Sequence, residues 1–295
     1  MPLFTGAGVA LITPFREDKS VHFEELGRLL EDQIEGGTDA VIICGTTGEP
    51  AVMKMEERAA VIRYAVEKTA GRIPVIAGTG GNCTEDVIAL SQKAQAAGAD
   101  GLLIVTPFYN KATQNGLYEH YRSVASNVDL PIIMYNVPSR TGCNLLPETA
   151  ARLGRDIDQI VGVKEASGNI SQAAKLIQLS EGNLSVYSGN DDQTVPVLSL
   201  GGVGVISVLS NLAPRDTHNM VMAYLQGNLE RARQLQLKYL DLISALFCEV
   251  NPIPVKWAMN RIGYSAGGHR LPLTELSPEH QKLLEREMQK AGVLS

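Results

Sequence analysis

Apolar residues fall along this chain in two alternating rhythms. Short unbroken apolar runs, such as Val41-Ile42-Ile43, Leu102-Leu103-Ile104-Val105 and Ile160-Val161-Gly162-Val163, recur from one end to the other. Between them lie stretches in which apolar residues return every three or four positions. Phe23, Leu26, Leu29, Leu30 and Ile34 form one such set, spaced to line a single helical face. An apolar run without alternation is what a parallel strand buried on both faces requires. Candidate strands centre near Ala10, Ile42, Val75, Leu103, Ile133, Val161, Val186 and Val205, and each is followed by a helical pattern.

Eight β–α repeats in one chain predict an α/β fold of the closed (β/α)8 TIM-barrel type, whose usual size is about 250 residues. An open doubly wound sheet is the alternative, but no GxGxxG motif opens the first crossover. The barrel is expected to span residues 1–226. Three further helical patterns, roughly Leu229–Phe247, Ile253–Ile262 and Pro278–Lys290, make residues 227–295 a C-terminal three-helix extension packed on the barrel. Thr84, ahead of Glu85 and Asp86, is expected to cap one barrel helix. Ser277, followed by Pro278 and Glu279, is expected to cap the last helix.

Composition narrows the function classes. The chain has 295 residues, 44% hydrophobic and 20% charged, with a net charge of −6. That balance is ordinary for a globular protein and offers no basic face to nucleic acid. No apolar run approaches the ~20 residues a membrane-spanning helix needs. The opening MPLFTGAGVALITPF reads as a first strand and not a signal peptide, so a cytoplasmic location is expected. Cys44, Cys83, Cys143 and Cys248 show no CxxC spacing, and the five histidines show no HxH or HExxH pairing. Neither a disulfide framework nor a metal site is therefore predicted. Cys44 and Cys143 lie beside the motifs below and read as buried structural thiols.

Barrel enzymes place their chemistry at the C-terminal strand ends. Lys164 directly follows the apolar run Ile160–Val163, which puts its amine in the low-dielectric barrel mouth. Desolvation disfavours the ammonium form, and a neutral amine is what attack on a ketone needs. A strand-end lysine paired with an acidic neighbour is the bland alternative. Arg140 follows a Val-Pro turn after strand five, and its guanidinium fork suits a carboxylate. Tyr135 and Tyr109, at adjacent strand ends, carry phenols that can relay protons if held in place, or can simply pack. Thr46 and Thr47, between two glycines, can offer hydroxyl and N–H donors to a carboxylate, or can cap a tight turn. Asp191 and Asp192 stand where barrels commonly bind phosphate, so a non-phosphorylated substrate is expected.

Three strings, GTTGE (Gly45–Glu49), YNVPSRTG (Tyr135–Gly142) and GVKEASGN (Gly162–Asn169), with NPIPVKWA (Asn251–Ala258) further on, resemble the 4-hydroxy-tetrahydrodipicolinate synthase (dihydrodipicolinate synthase) family. It belongs to the pyruvate-dependent class I aldolase and N-acetylneuraminate lyase superfamily. The resemblance implies condensation of pyruvate with L-aspartate 4-semialdehyde towards diaminopimelate and lysine. No metal or organic cofactor is expected, only a covalent imine. By the family pattern Lys164 forms that imine. Tyr135 relays protons with Thr46 and with Tyr109, which the family donates across a dimer interface. Thr47 holds the pyruvate carboxylate and Arg140 the semialdehyde carboxylate. The backbone at Gly189 and Ile206 helps position Lys164. A homotetramer built as a dimer of dimers is expected.

Sister aldolases that act on sialic acid or 2-keto-3-deoxy acids share the lysine and tyrosine. They resemble GSTGE after strand two and generally lack the arginine, so Thr46-Thr47 with Arg140 favours the synthase. Lysine-inhibited members carry a histidine or aromatic pair, a glutamate and a tyrosine at an allosteric site. Here the corresponding places hold Met55, Arg58, Asp86 and Phe108, and only Asn82 is retained. Weak or absent feedback inhibition by lysine is expected.

Overall fold

The computed structural model describes residues 2–294. Its eight strands are β1 (Gly6–Ala10), β2 (Ala40–Ile43), β3 (Val75–Gly78), β4 (Gly101–Val105), β5 (Ile132–Asn136), β6 (Ile160–Glu165), β7 (Ser185–Ser188) and β8 (Gly204–Ser207). They pair in parallel, each with the next, and β8 closes on β1. The protein is thus the expected (β/α)8 barrel. Every strand centre read from the apolar runs falls inside an observed strand.

The lack of alternation has a direct structural cause. Ile42, Ile76, Leu103, Ile133 and Ile206 pack together inside the barrel. Their neighbours Val41, Ile43, Ala77, Leu102, Ile104, Ile132 and Met134 pack outward against the helices. Both faces are dry, so both parities are apolar. Phe4 and Tyr187 fill the N-terminal end: their rings stack at 4.5 Å, and the Tyr187 hydroxyl donates to the Phe4 carbonyl.

Helices α1 (Phe23–Glu35), α2 (Met55–Thr69), α3 (Thr84–Ala96) and α4 (Gln114–Ala125) follow β1 to β4 in turn. Between β5 and β6 lie the single turn α5 (Pro138–Thr141) and α6 (Pro147–Asp156). Helices α7 (Ile170–Ser180), α8 (Thr194–Ser199) and α9 (Pro214–Leu225) follow β6, β7 and β8. On α1 the predicted stripe is real: Leu26, Leu29 and Leu30 are buried.

Beyond α9 come α10 (Leu229–Lys238), α11 (Leu240–Ala245), α12 (Ile253–Arg261) and α13 (Pro278–Ala291). The stretch read as one helix over 229–247 is therefore two, joined at Tyr239. That residue has φ −98° and ψ 0°, and its hydroxyl donates to Asp216 on α9. Helix α10 packs on α8 and α9, whereas α12 packs on α13 and on the 3-10 turn Leu209–Asn211 after β8. The extension thus reaches the C-terminal rim of the barrel.

One cap reading is corrected, and the other holds in position only. Thr84 is the first residue of α3 and not its cap, because its hydroxyl pairs with His120 Nδ1 at 2.9 Å on the neighbouring helix. Ser277 is the N-cap residue of α13, with Pro278 at its first position as expected, but its hydroxyl pairs with His280 Nδ1 at 3.0 Å and caps no backbone N–H. In both cases a histidine outcompetes the local backbone.

Candidate active site

Lys164 and Tyr135 are ladder residues, one position before the ends of β6 and β5, and they stand opposite each other in the register. The strand parity that sends Val163 outward sends Lys164 into the barrel mouth. Only 5% of Lys164 is exposed, and its Nζ lies 4.4 Å from the centre of the Tyr135 ring. Burial holds the amine down to about 8, with the Asp191 carboxylate working against that shift and Arg140 adding to it. An appreciable share of neutral amine is therefore present near neutral pH. Burial pushes the Tyr135 phenol up, opposed by the Arg140 guanidinium and the Thr46 hydroxyl.

The next pair along the same strands faces the other way and braces the first. Asn136 Nδ2 donates to Glu165 Oε2 at 3.1 Å and to Asn144 Oδ1 at 2.9 Å, and the Ser167 N–H donates to Glu165 Oε1. On the far side of Lys164, the Gly189 N–H donates to the Glu165 carbonyl at 2.7 Å. A Cβ at Gly189 would lie 2.6 Å from Ala166 Cβ and 3.1 Å from Lys164 Cγ, so only glycine lets β7 approach this closely. Ile206 is fully buried in the barrel-interior cluster.

Thr46 and Thr47 form a 3-10 turn after β2, with Thr47 buried. Thr46, Thr47, Tyr135, Arg140, Lys164 and Gly189 line one cavity of about 540 Å³. Arg140, on the rim turn α5, donates from Nη2 to the Asn251 carbonyl at 3.1 Å. Tyr109 is not brought in: its side chain is 88% exposed, at a residue with φ 72°.

A second cavity, of about 630 Å³, shares Thr46, Tyr135, Arg140 and Asn251 and runs outward past Met55, Arg58, Asn82, Asp86 and Phe108. The five positions expected at the allosteric place thus line a single cavity. Arg58 Nη2 donates to the Gly78 carbonyl at 3.0 Å, which lays the guanidinium over the strand end.

Asp191 and Asp192 do not act as a pair. Asp192 is exposed, whereas Asp191 is buried and turned inward. Its carboxylate accepts from the Ser207 hydroxyl and from the Val208 and Leu209 N–H groups at 2.9 and 3.1 Å. Those N–H groups open the turn after β8, where phosphate-binding barrels hold their anion. A carboxylate of the chain itself already fills that place, which is a firmer reason against a phosphorylated substrate than repulsion alone.

Cys44, Cys83, Cys143 and Cys248 are all free thiols. Cys44 is buried, and burial pushes its thiol up to about 12, so it stays protonated. Among the described residues no group of three or more His, Cys, Asp or Glu is arranged to hold a metal, and no helix is long and apolar enough to cross a membrane.

A buried, partly neutral lysine opposite a tyrosine, with a threonine turn and a rim arginine, is the layout of an imine-forming barrel. The family model that matches is the dihydrodipicolinate synthetase family, over residues 3–291. The chain belongs to this family. A 4-hydroxy-tetrahydrodipicolinate synthase of Lachnoclostridium phytofermentans is 57% identical over 294 residues, covering 100% of each chain. Among solved structures, chloride-inhibited dihydrodipicolinate synthase from Acinetobacter baumannii, complexed with pyruvate, has a TM-score of 0.96 at 42% identity, over 98% of this chain and 99% of that one. The enzyme from Cyanidioschyzon merolae with lysine bound has a TM-score of 0.97 at 38% identity, over 100% of both.

Within this synthetase-family barrel, the C-terminal extension reaches further into the site than its sequence announces. Phe247, Cys248, Glu249, Val250 and Asn251 line the mouth of the Lys164 cavity. Asn251 is buried and donates from Nδ2 to Thr47 Oγ1 at 3.0 Å. The only available signal was a polar Asn and Lys in the otherwise apolar NPIPVKWA string, which carried the resemblance but no assigned role.

Proposed function

We propose that this chain condenses pyruvate with L-aspartate 4-semialdehyde through an imine on Lys164, giving 4-hydroxy-tetrahydrodipicolinate on the route to diaminopimelate and lysine. The observation that carries this reading is the Lys164 amine, buried at the barrel mouth, held down to about 8 and facing the Tyr135 ring. The neutral amine attacks the ketone of pyruvate and water leaves, forming the imine. The imine nitrogen withdraws electrons, so the pyruvate methyl group gives up a proton, with Tyr135 as relay. The resulting enamine carbon attacks the aldehyde of the second substrate. The amino group of that substrate then displaces Lys164, closing the ring and restoring the free amine. The imine is itself the electron sink, so these steps call on no metal or organic cofactor.

Thr47 holds the pyruvate carboxylate and Thr46 joins Tyr135 in the relay. Arg140 takes the semialdehyde carboxylate at the rim, where its fork is exposed on one side and steadied by the Asn251 carbonyl on the other. The backbone at Gly189 and Ile206 positions Lys164. Tyr109 completes the relay from a second protomer, within a homotetramer. The barrel of residues 1–226 carries the chemistry, and residues 227–295 are the appended unit. The free thiols suit a cytoplasmic location.

Borohydride reduction in the presence of pyruvate, followed by peptide mass mapping, tests the covalent step. A pyruvyl adduct on Lys164 is expected, with turnover on aspartate semialdehyde and none on sialic acid or a 3-deoxy keto acid. Absence of that adduct, or its appearance on another lysine, would overturn the assignment.

A further inference from the structure

Two lysines near the site have amines held down to about 8 by burial. Lys164 lines the inner site cavity, whereas Lys256 on α12 lines neither the inner nor the outer one. Lys256 is 0% exposed, with Nζ 2.7 Å from Glu49 Oε1 and 3.9 Å from the centre of the Phe15 ring. His269 Nδ1 lies 3.4 Å from the same Glu49 oxygen. Lys256 is thus committed to a partner and closed off from any substrate.

Glu49 closes the threonine turn. It takes a left-handed backbone, φ 56°, which disfavours any residue with a Cβ, and its N–H donates to the Thr46 carbonyl at 3.1 Å. The first cap of that turn supplies no side-chain hydrogen bond. It is held instead from three sides. The Thr13 hydroxyl donates to the Gly48 carbonyl at 2.7 Å, Asn251 Nδ2 to Thr47 Oγ1 at 3.0 Å, and Lys256 to the Glu49 carboxylate. Two of these three anchors come from the C-terminal extension. Burial alone would raise the Glu49 carboxyl, but His269 and Lys256 outweigh it and hold it below its ordinary value.

A buried ion pair is a poor source of net stability, because desolvation offsets most of the attraction. Its directional strength is better suited to fixing geometry. We propose that Lys256 and Asn251 are positioning residues for the keto-acid subsite: through Glu49 and Thr47 they hold the Gly45–Glu49 turn against Lys164, so the C-terminal helices set the affinity for pyruvate. This rests on Thr47 as the carboxylate donor of the proposed reaction.

The test uses the full chain with Lys256→Met, Asn251→Ala and Thr47→Ala, singly and with each anchor variant combined with Thr47→Ala. The half-saturating pyruvate for borohydride trapping and for turnover is measured in each. K256M and N251A are each expected to raise it about tenfold, with kcat falling by a smaller factor, since misplacing a binding group costs affinity well before the fold is lost. In the Thr47→Ala background the N251A effect should vanish and the K256M effect should shrink, because Asn251 bonds that residue directly and Lys256 reaches it through Glu49 along the turn. Should K256M fail to fold, N251A and its double variant decide alone. Half-saturation within twofold of wild type, or effects that multiply with that of Thr47→Ala, would overturn the proposal. Failure of the reaction itself looks different: wild-type protein would then give no adduct on Lys164 at all.

Discussion

The Lys164 amine sits 4.4 Å from the centre of the Tyr135 ring, against the ring and not in a hydrogen bond to its hydroxyl. The two residues are register partners on adjacent parallel strands, so their separation is set by the ladder. The groups acting on the phenol are the Thr46 hydroxyl and the Arg140 guanidinium. A proton passing between lysine and phenol therefore travels through bound substrate or a water, and the ring face itself only shields the amine.

That separation of roles gives the first prediction. Tyr135→Phe keeps the ring against Lys164 and removes only the relay. kcat should fall by about 10² to 10⁴, the range for losing a positioned acid–base group, while borohydride with pyruvate still labels Lys164. Loss of labelling together with activity would mean that the hydroxyl is needed to form the imine itself.

The pH dependence follows from the Lys164 amine being held down to about 8. With the free amine as the proposed nucleophile, imine formation should rise with pH and level off above about 8, falling about tenfold per unit well below it. Asp191 favours the ammonium form. Asp191→Asn should therefore lower the lysine further and move the rising limb to lower pH. Stopped-flow imine formation against pH checks the sign, and a limb moved upward would refute it.

Tyr109, 88% exposed on its own chain, is expected to work in a neighbour's site. Lys164→Ala and Tyr109→Phe protomers, each nearly inactive alone, should recover activity when mixed and reassembled. Half of the sites in a mixed dimer then combine an intact Lys164 with an intact partner tyrosine. No recovery in verified mixed dimers would place the function of Tyr109 elsewhere.

Lysine is expected to inhibit weakly or not at all. The wall of the outer cavity carries the Arg58 guanidinium, whose charge repels an ammonium-bearing ligand, and Phe108 offers no hydroxyl there. Of the two acidic residues lining that cavity, Glu49 is already paired with Lys256, which leaves Asp86 as the opposing charge without a buried partner. Half-maximal inhibition at low or submillimolar lysine in a steady-state assay would contradict this. Arg58→Ala should increase whatever inhibition exists.

Much of this was legible in the chain alone, and for a clear reason. Strands buried on both faces must be apolar at every position, so each run announced itself, and a lysine placed directly after one such run had to emerge at the barrel mouth. Tyr135 and Arg140 stood out likewise because strand ends can be counted along the chain. The Thr84 cap failed where that logic stops, since its hydroxyl chose a histidine 36 residues away over its own backbone.

The order of strands and helices, and the placing of Lys164 at a strand end, followed from short-range hydrophobic period and position, while its proposed imine role came from the motifs around it. Only closure of the barrel decided which side chains meet. It turned Asp191 inward to occupy the anion place after β8, and it brought Asn251 and Lys256 to Thr47 and Glu49 across 204 and 207 residues. Such partnerships leave no periodic trace, because one polar residue in an apolar helix looks the same whether it meets solvent or a buried carboxylate.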